Sequence, residues 1–579
     1  MRHREKTRSI LLAVLLLVSL LPFAALPARA DAPTGGECGS GLTWTLDGTA
    51  LTISKTGEGT GAMADYADED APWGTDVTSV VIGSGVTSIG AGAFSGCEKL
   101  KSVVIPDSVT SIGAGAFTDC TALKSVFFLH TKSTVTIVAG TFGNTTPLLC
   151  ADRSKLGSNS EFTIADSQEV SSWSALYDAL NAGGYIKLTD NVKFGEGGGD
   201  HAGDELAVPE DKAVLLDLAG HTINRGLQLG ANGNALTVNG TLTLMDSGGG
   251  RITGGMAYAS TGGGVYVNGG TFTMAGGEVS GNHAYGNFSR GGGVCVNGGT
   301  FTMTGGTISG NNVQGNGSYG GGVCVVSGGT FIMTGGTVSG NTASNSGKGG
   351  GVCVVGSNGT FTMLGGTVSN NTADDVKNGG GVYFNNPNST FRVGGAPVVR
   401  NNNGNNVKLY GQRITVAAPL ADGAALWVHV HAGTNDPELW VYDDYEGTVV
   451  AQAGNGYTLT DADAEKFHGD NGFCVGKLVQ EDGKNVVQMV LRPALSDVSV
   501  SGGAVTATVV APANSTLIAA GYDENGRLTG VVTETFPAGG GSILGESRSL
   551  TVPSAHHYRV FLVDGSYAPL CPAEDAAQP

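Results

Sequence analysis

Acid–base chemistry on a polymer needs carboxylates that face one another across a bond, or a Ca²⁺-binding carboxylate nest beside a basic residue. Such groups are scarce where this chain is most regular. From Gly262 to Asn378 the only charged side chains are Glu278, Arg290, Lys348, Asp374, Asp375 and Lys377, and Gly291 to Tyr319 carries none. Asp374 and Asp375 are neighbours on one loop and cannot flank a substrate, so they read as solvated charges, with weak Ca²⁺ binding as the alternative. A second group lies upstream: Asp217 with His221 in LDLAGHTI, and Asp246, Asp200, His201 and Asp204 within reach of gathering beside them. A four-residue separation on a strand and bend fixes no geometry, and a structural or exposed role is the simpler expectation for both Asp217 and His221.

Thiols and rings form the other candidates. Cys295, Cys324 and Cys353 occupy one position in three successive repeats, with Tyr266 and Tyr383 at that position on either side. Three readings stay open: a stacked thiol column, a disulfide between neighbouring rungs, or a soft-metal site. Parallel Cβ vectors make the disulfide torsion poor, which favours thiols. The variable segments His283–Arg290, Asn312–Tyr319, Thr342–Lys348 and Thr372–Asn378 fall on one side of the repeat. Tyr285, Phe288 and Tyr319 in them are the candidate ligand-binding residues, rigid rings able to stack on sugars, although rings in loops also simply cover backbone. No catalytic residue, metal or cofactor is assigned.

The elements that position these residues follow from two repeats. GGGVYV at Gly262, GGGVCV at Gly291, Gly320 and Gly349, and GGGVYF at Gly379 are spaced 29, 29, 29 and 30 residues apart. Each period adds TFTM (Thr271–Met274) and EVSGN (Glu278–Asn282), so three short strands make one coil. Phe272, Phe301, Phe331, Phe361 and Phe391 then stack, as do Met274, Met303, Met333 and Met363, with the intervening threonines outside. This is the pattern of a right-handed parallel β-helix, with weaker rungs back to Val214, about seven coils in all and about 35 Å long. The glycine triplets read as turns needing positive φ and close backbone approach, because the aspartates of Ca²⁺-binding β-rolls are missing. Ser171–Asn181 has the spacing of an amphipathic cap helix.

The shorter repeat is 23 residues: Ser79-Val80-Val81-Ile82, Ser102-Val103-Val104-Ile105 and Ser125-Val126-Phe127-Phe128 begin successive copies. Cys97 and Cys120 fall at an interior position, and LTWTLDGTALTIS (Leu42–Ser54) reads as a capping hairpin. Residues 1–30 have a basic start, an apolar run from Ile10 to Leu21 and Ala28-Arg29-Ala30, the features of a secretory signal peptide. The expected layout is 1–30 signal peptide, 31–150 capping hairpin and leucine-rich repeats, 151–172 linker, 173–410 β-helix, 411–492 β-rich continuation and 493–579 β-sandwich of immunoglobulin or fibronectin type. Removing the signal leaves 26 basic against 49 acidic residues, a net charge of −23. Such acidity argues against nucleic acid as a partner, and no apolar stretch of membrane-spanning length follows the signal.

The line VTSIGAGAFSGCEKLKSVVIPDSVTSIGAGAFTDCTALKSV resembles the leucine-rich repeats of BspA-like surface proteins, over Cys38 to Cys150. The F-x-M-x-G-G-x-[VI]-S-x-N lines, within Trp173 to about Leu491, resemble polymorphic outer-membrane and autotransporter-like adhesins, and more closely secreted β-helix proteins of gut Firmicutes. The resemblance implies a secreted or cell-surface adhesin-like protein, non-catalytic, contacting extracellular glycans or host or bacterial surface proteins. No family catalytic residue maps onto the chain. Because pectate lyases and polygalacturonases share the fold, a polysaccharide lyase or glycoside hydrolase is the alternative, and a structural envelope protein a second one.

Overall fold

The computed structural model describes residues 35–577 except 68–69, 143–147, 157–165, 229, 259–261, 327, 375–377, 430–447, 455–456, 471–473, 502–503, 538–542 and 553–554. The signal-peptide reading and Asp375 therefore lie outside the described residues.

The chain is mainly β and its centre is a solenoid of parallel strands. In-register pairing of like residues builds it: Phe272 faces Phe301, Phe301 faces Phe331, Phe331 faces Phe361 and Phe361 faces Phe391. Their ring centroids are 4.8–5.2 Å apart and within 10° of parallel, and all five are fully buried. The spacing is that of hydrogen-bonded strands, so backbone ladder and aromatic stack reinforce one another. The longest column runs through eleven parallel strands, from Ser167–Val170 to Val449–Ala453. The expected seven coils fall short because rungs such as Gly184–Leu188 and Ile414–Leu420 pair through the backbone and need no glycine period. Trp173–Ala182 is the cap helix; Ser172 Oγ accepts from the Ala175 N–H, and Trp173, Leu176 and Leu180 close the first rungs.

Each regular coil carries a fourth strand that the sequence places in loops. Met256–Tyr258, His283–Tyr285, Asn312–Gln314, Thr342–Ser344 and Thr372–Ala373 form a separate five-stranded parallel sheet. Between third and fourth strands the chain bends at a buried asparagine. Asn282, Asn311, Asn341, Asn371 and Asn402 each donate an Nδ2–H to the Oδ1 of the next amide, at 2.9–3.1 Å. Asn406 ends the ladder on the Asp470 carboxylate, 2.8 Å away. The glycine triplets behave as read: Gly291 has φ +63°, and a Cβ on Gly292 would lie 2.5 Å from the carbonyl oxygens of Asn312 and Gly321.

Residues 35–156 form a second, smaller solenoid. An antiparallel start, Gly35–Gly39, Leu42–Asp47 and Ala50–Lys55, leads into parallel strands Ser79–Ile82, Ser102–Ile105, Ser125–Phe128 and Leu148–Cys150. Phe94, Phe117 and Phe142 stack in its core at 5.0 and 5.2 Å, and Cys97 and Cys120 are interior. Its outer sheet face lies on the β-helix face that carries the threonines. Phe127 and Leu149 cluster with Tyr185, Leu215 and Met245. The threonines at outward positions, Thr243, Thr273, Thr302 and Thr362, are consequently 0–7 % exposed. Outside the β-helix core, as expected, they are nevertheless inside the protein. Beyond Leu491 the chain forms two antiparallel sheets, of three and four strands, around a shared core that includes Val509, Leu517, Tyr558 and Val560.

Candidate binding face

The fourth-strand sheet decides which variable side chains face solvent. Ala257, Ala284, Val313, Ala343 and Ala373 point inward and form their own small core. Period-two alternation turns their neighbours outward. One outward column starts Tyr258, Tyr285, Gln314, Ser344; the other is Met256, His283, Asn312, Thr342, Thr372.

The aromatic end of this face is built on bare backbone. Tyr258 is 56 % exposed, with its ring 5.1 Å from that of Tyr285 in an edge arrangement. A Cβ on Gly286 would lie 2.9 Å from the Tyr258 ring, and one on Gly317 2.9 Å from the Phe288 ring. Only glycine lets those rings lie so close to the chain. Phe288 is 64 % exposed and has φ +63°, a strained conformation for an aromatic residue, with its N–H donated to Asn316 O at 3.1 Å. Tyr285 is half-buried and donates its hydroxyl to Ala231 O at 2.9 Å. His283 packs edge-on against Tyr285, and burial lowers its pKa below the usual histidine range. Tyr285 thus lies on the outward face beside Tyr258, which the sequence reading missed, and Phe288 sits in the turn beyond the strand, against Gly317 of the next coil. The only signal of Tyr258 is its place opposite Tyr285 in a coil whose glycine pattern is degraded.

Tyr319 goes elsewhere. It is half-buried and packs with Tyr266, Tyr383, Val326 and Val355 over Cys295, Cys324 and Cys353, which are 0–1 % exposed free thiols. Of the three readings, the favoured thiol column is the arrangement described: the cysteines are free and pair in register on adjacent strands. Burial pushes the Cys324 and Cys353 thiols well above the ordinary range, which makes them poor nucleophiles.

The upstream acidic group splits in two. His201 Nδ1 lies 2.6 Å from Asp204 and Nε2 3.7 Å from Asp178, with the ring stacked on Tyr177 at 4.2 Å over the cap helix. The hydrogen bond to Asp204 raises the His201 pKa, and Asp200 adds to it. Asp217 and Asp246 instead hold turns of adjacent rungs. The Asp217 carboxylate accepts the Ala219 N–H at 2.8 Å, and Asp246 accepts those of Gly220, Gly248, Gly249 and Gly250 at 2.5–3.2 Å. Burial raises the Asp217 pKa, with the Asp246 charge adding to it. His221 sits in the same turn, its N–H on Leu218 O. Asp374 is exposed and accepts the Asn345 N–H at 2.5 Å. Among the described residues no three His, Cys, Asp or Glu side chains group so as to hold a metal ion, and no helix is long and apolar enough to cross a membrane.

Comparison with curated proteins returns no match to this chain. Over residues 70–154, within the smaller solenoid, the sequence matches the BspA type leucine rich repeat region in six copies.

Proposed function

We propose that this chain is a secreted or cell-surface, adhesin-like binding protein, non-catalytic, that contacts extracellular glycans or surface proteins through the outward face of the fourth-strand sheet. The observation that carries the reading is two exposed rings, Tyr258 on the fourth-strand sheet and Phe288 in the turn after it, each seated against glycine backbone of the next coil. Exposed rings held in place lose little freedom on stacking against a sugar or an apolar side chain. The neighbouring Asn312, Gln314, Thr342 and Ser344 supply hydrogen-bonding groups of both kinds. The signal-like residues 1–30 and the acidic composition suit export. In this layout residues 31–150, as leucine-rich repeats, and 493–579, as an immunoglobulin- or fibronectin-like sandwich, are further contact modules flanking the β-helix and its continuation.

The test is binding and turnover on one panel of extracellular polysaccharides and glycoproteins. The expected result is saturable binding without release of reducing ends or unsaturated uronides. Tyr258→Ala and Phe288→Ala each weaken binding by roughly tenfold, the scale of a truncated aromatic anchor, with unchanged circular dichroism. Sustained product release, or binding indifferent to both substitutions, overturns the reading.

A further inference from the structure

Alternation along the strand His557–Asp564 sorts its side chains onto two faces. Tyr558, Val560 and Leu562 are 0–1 % exposed in the core shared by the two antiparallel sheets, so His557, Arg559 and Phe561 turn to the opposite face. Register then gives two of them a partner: Tyr522 pairs with His557 on one side, and Asp575 with Arg559 on the other. The Tyr522 and His557 rings lie 5.0 Å apart and within 12° of parallel. About 7 Å further along the strand, Arg559 Nε lies 3.3 Å from the Asp575 carboxylate, with the guanidinium 5.7 Å from the Phe561 ring centre. A cleft of about 520 Å³ opens over both pairs, lined by Tyr522, Gly526, His557, Arg559, Asp575 and Ala576. That is the size of a small-ligand site. Its rim at Gly526 is a braced turn, in which Asp523 Oδ1 accepts the N–H groups of Asn525 and Arg527 at 2.9 and 2.8 Å. Paired strands and a braced turn hold the cleft open without a ligand.

We propose that this cleft binds one neutral pyranose unit of a glycan. The assignment rests, for its choice of a sugar, on the reading of this chain as a glycan-contacting protein, and it adds a second site far along the chain from the fourth-strand sheet. The ring pair offers an apolar surface to the C–H face of the sugar. An ion pair closed through Nε leaves the terminal nitrogens of Arg559 as donors beside a carboxylate with acceptor capacity to spare. Adjacent hydroxyls, each a donor and an acceptor, match that arrangement, and hydrogen bonds to charged groups are the stronger kind. Neutrality follows from the pair itself, because a charged ligand must break it or leave a charge uncompensated, whereas hydroxyls add to it.

Saturation-transfer nuclear magnetic resonance and calorimetry on the full-length chain test the site. The probes are the methyl glycosides of glucose, galactose and mannose, methyl glucuronide as an anionic sugar, and glycine as a zwitterion. At least one neutral glycoside should bind saturably and more tightly than methyl glucuronide or glycine. Arg559→Ala, at an exposed position, should weaken it by about tenfold, with unchanged circular dichroism. Asp575→Asn should weaken it as much and reverse the preference, since the unpaired guanidinium then favours methyl glucuronide by about tenfold. Loss of packing alone would not produce that reversal. Preference of the unsubstituted chain for methyl glucuronide or glycine, or glycoside binding indifferent to both substitutions, overturns the site. Polysaccharide binding that depends on Tyr258 and Phe288, with no glycoside bound, overturns this site and leaves the fourth-strand reading standing. Glycoside binding lost in Arg559→Ala, in a chain whose polysaccharide binding ignores Tyr258→Ala and Phe288→Ala, upholds this site while that reading fails.

Discussion

Removing one amide from the middle of the asparagine ladder should destabilise the β-helix by more than any exposed polar substitution. Asn341 Oδ1 accepts from the Asn311 N–H at 3.1 Å and the Asn311 Nδ2–H at 3.0 Å. Its own Nδ2 donates to Ile308 O, Ser339 O and Asn371 Oδ1 at 2.9–3.1 Å. Asn341→Ala strips the Asn311 N–H of its acceptor and Ile308 O of a donor at a site with 0 % exposure. At about 1–3 kcal/mol for each buried group left unpaired, with some bonds shared elsewhere, the expected loss is about 4 kcal/mol. Urea unfolding followed by far-ultraviolet circular dichroism measures it as a lower midpoint at constant slope. Asn341→Asp adds a pH signature. A carboxylate there has no hydrogen to give Asn371 Oδ1, and its folded-state pKa is driven above the unfolded value. It is therefore most harmful at neutral pH and is relieved as pH falls. A loss below about 1 kcal/mol for Asn341→Ala, or an Asp variant insensitive to pH between 4 and 7, would refute the view that the ladder is a satisfied buried network.

Phe331→Ala, which opens the centre of the five-ring stack, should cost about 3–5 kcal/mol in the same assay. Gly292→Ala should prevent soluble folding, since its Cβ meets two backbone carbonyls, whereas Gly298→Ala, with nothing within 4 Å but φ +69°, should cost only about 1 kcal/mol; expression and thermal melts separate them. Burial raises Asp470 to about 6, above its unfolded value, so the folded chain takes up a proton there and gains stability as pH falls from about 6.5 towards 4. Asp470→Asn should remove that part of the pH dependence, seen as a flatter plot of urea midpoint against pH.

The asparagine positions show where reading from the sequence stops. Asn282 recurs at every coil as plainly as Phe272, yet in a linear reading an asparagine between two short strands is a solvated bend. It becomes a buried amide only when the rung above supplies an acceptor. The fourth strand is hidden for a related reason. His283-Ala284-Tyr285 and Asn312-Val313-Gln314 share no side-chain type except a small or apolar middle residue, and they pair through backbone groups that every residue carries. Tyr319 was legible as a ring on the variable side, but its direction depends on the thiol column it covers.

What the order of residues determined by itself is the β-helix core: identical large side chains at one period can be buried only by stacking in register, and that demand specifies strand, register and rung spacing together. The same local logic made the 23-residue solenoid readable. Tertiary structure alone decided that the threonine face is covered, that the acidic group divides between a helix cap and two turns, and that Tyr258 lies against Tyr285. Those outcomes depend on which sheet lies against which and on backbone pairing between distant rungs, and neither leaves a periodic trace in the side chains.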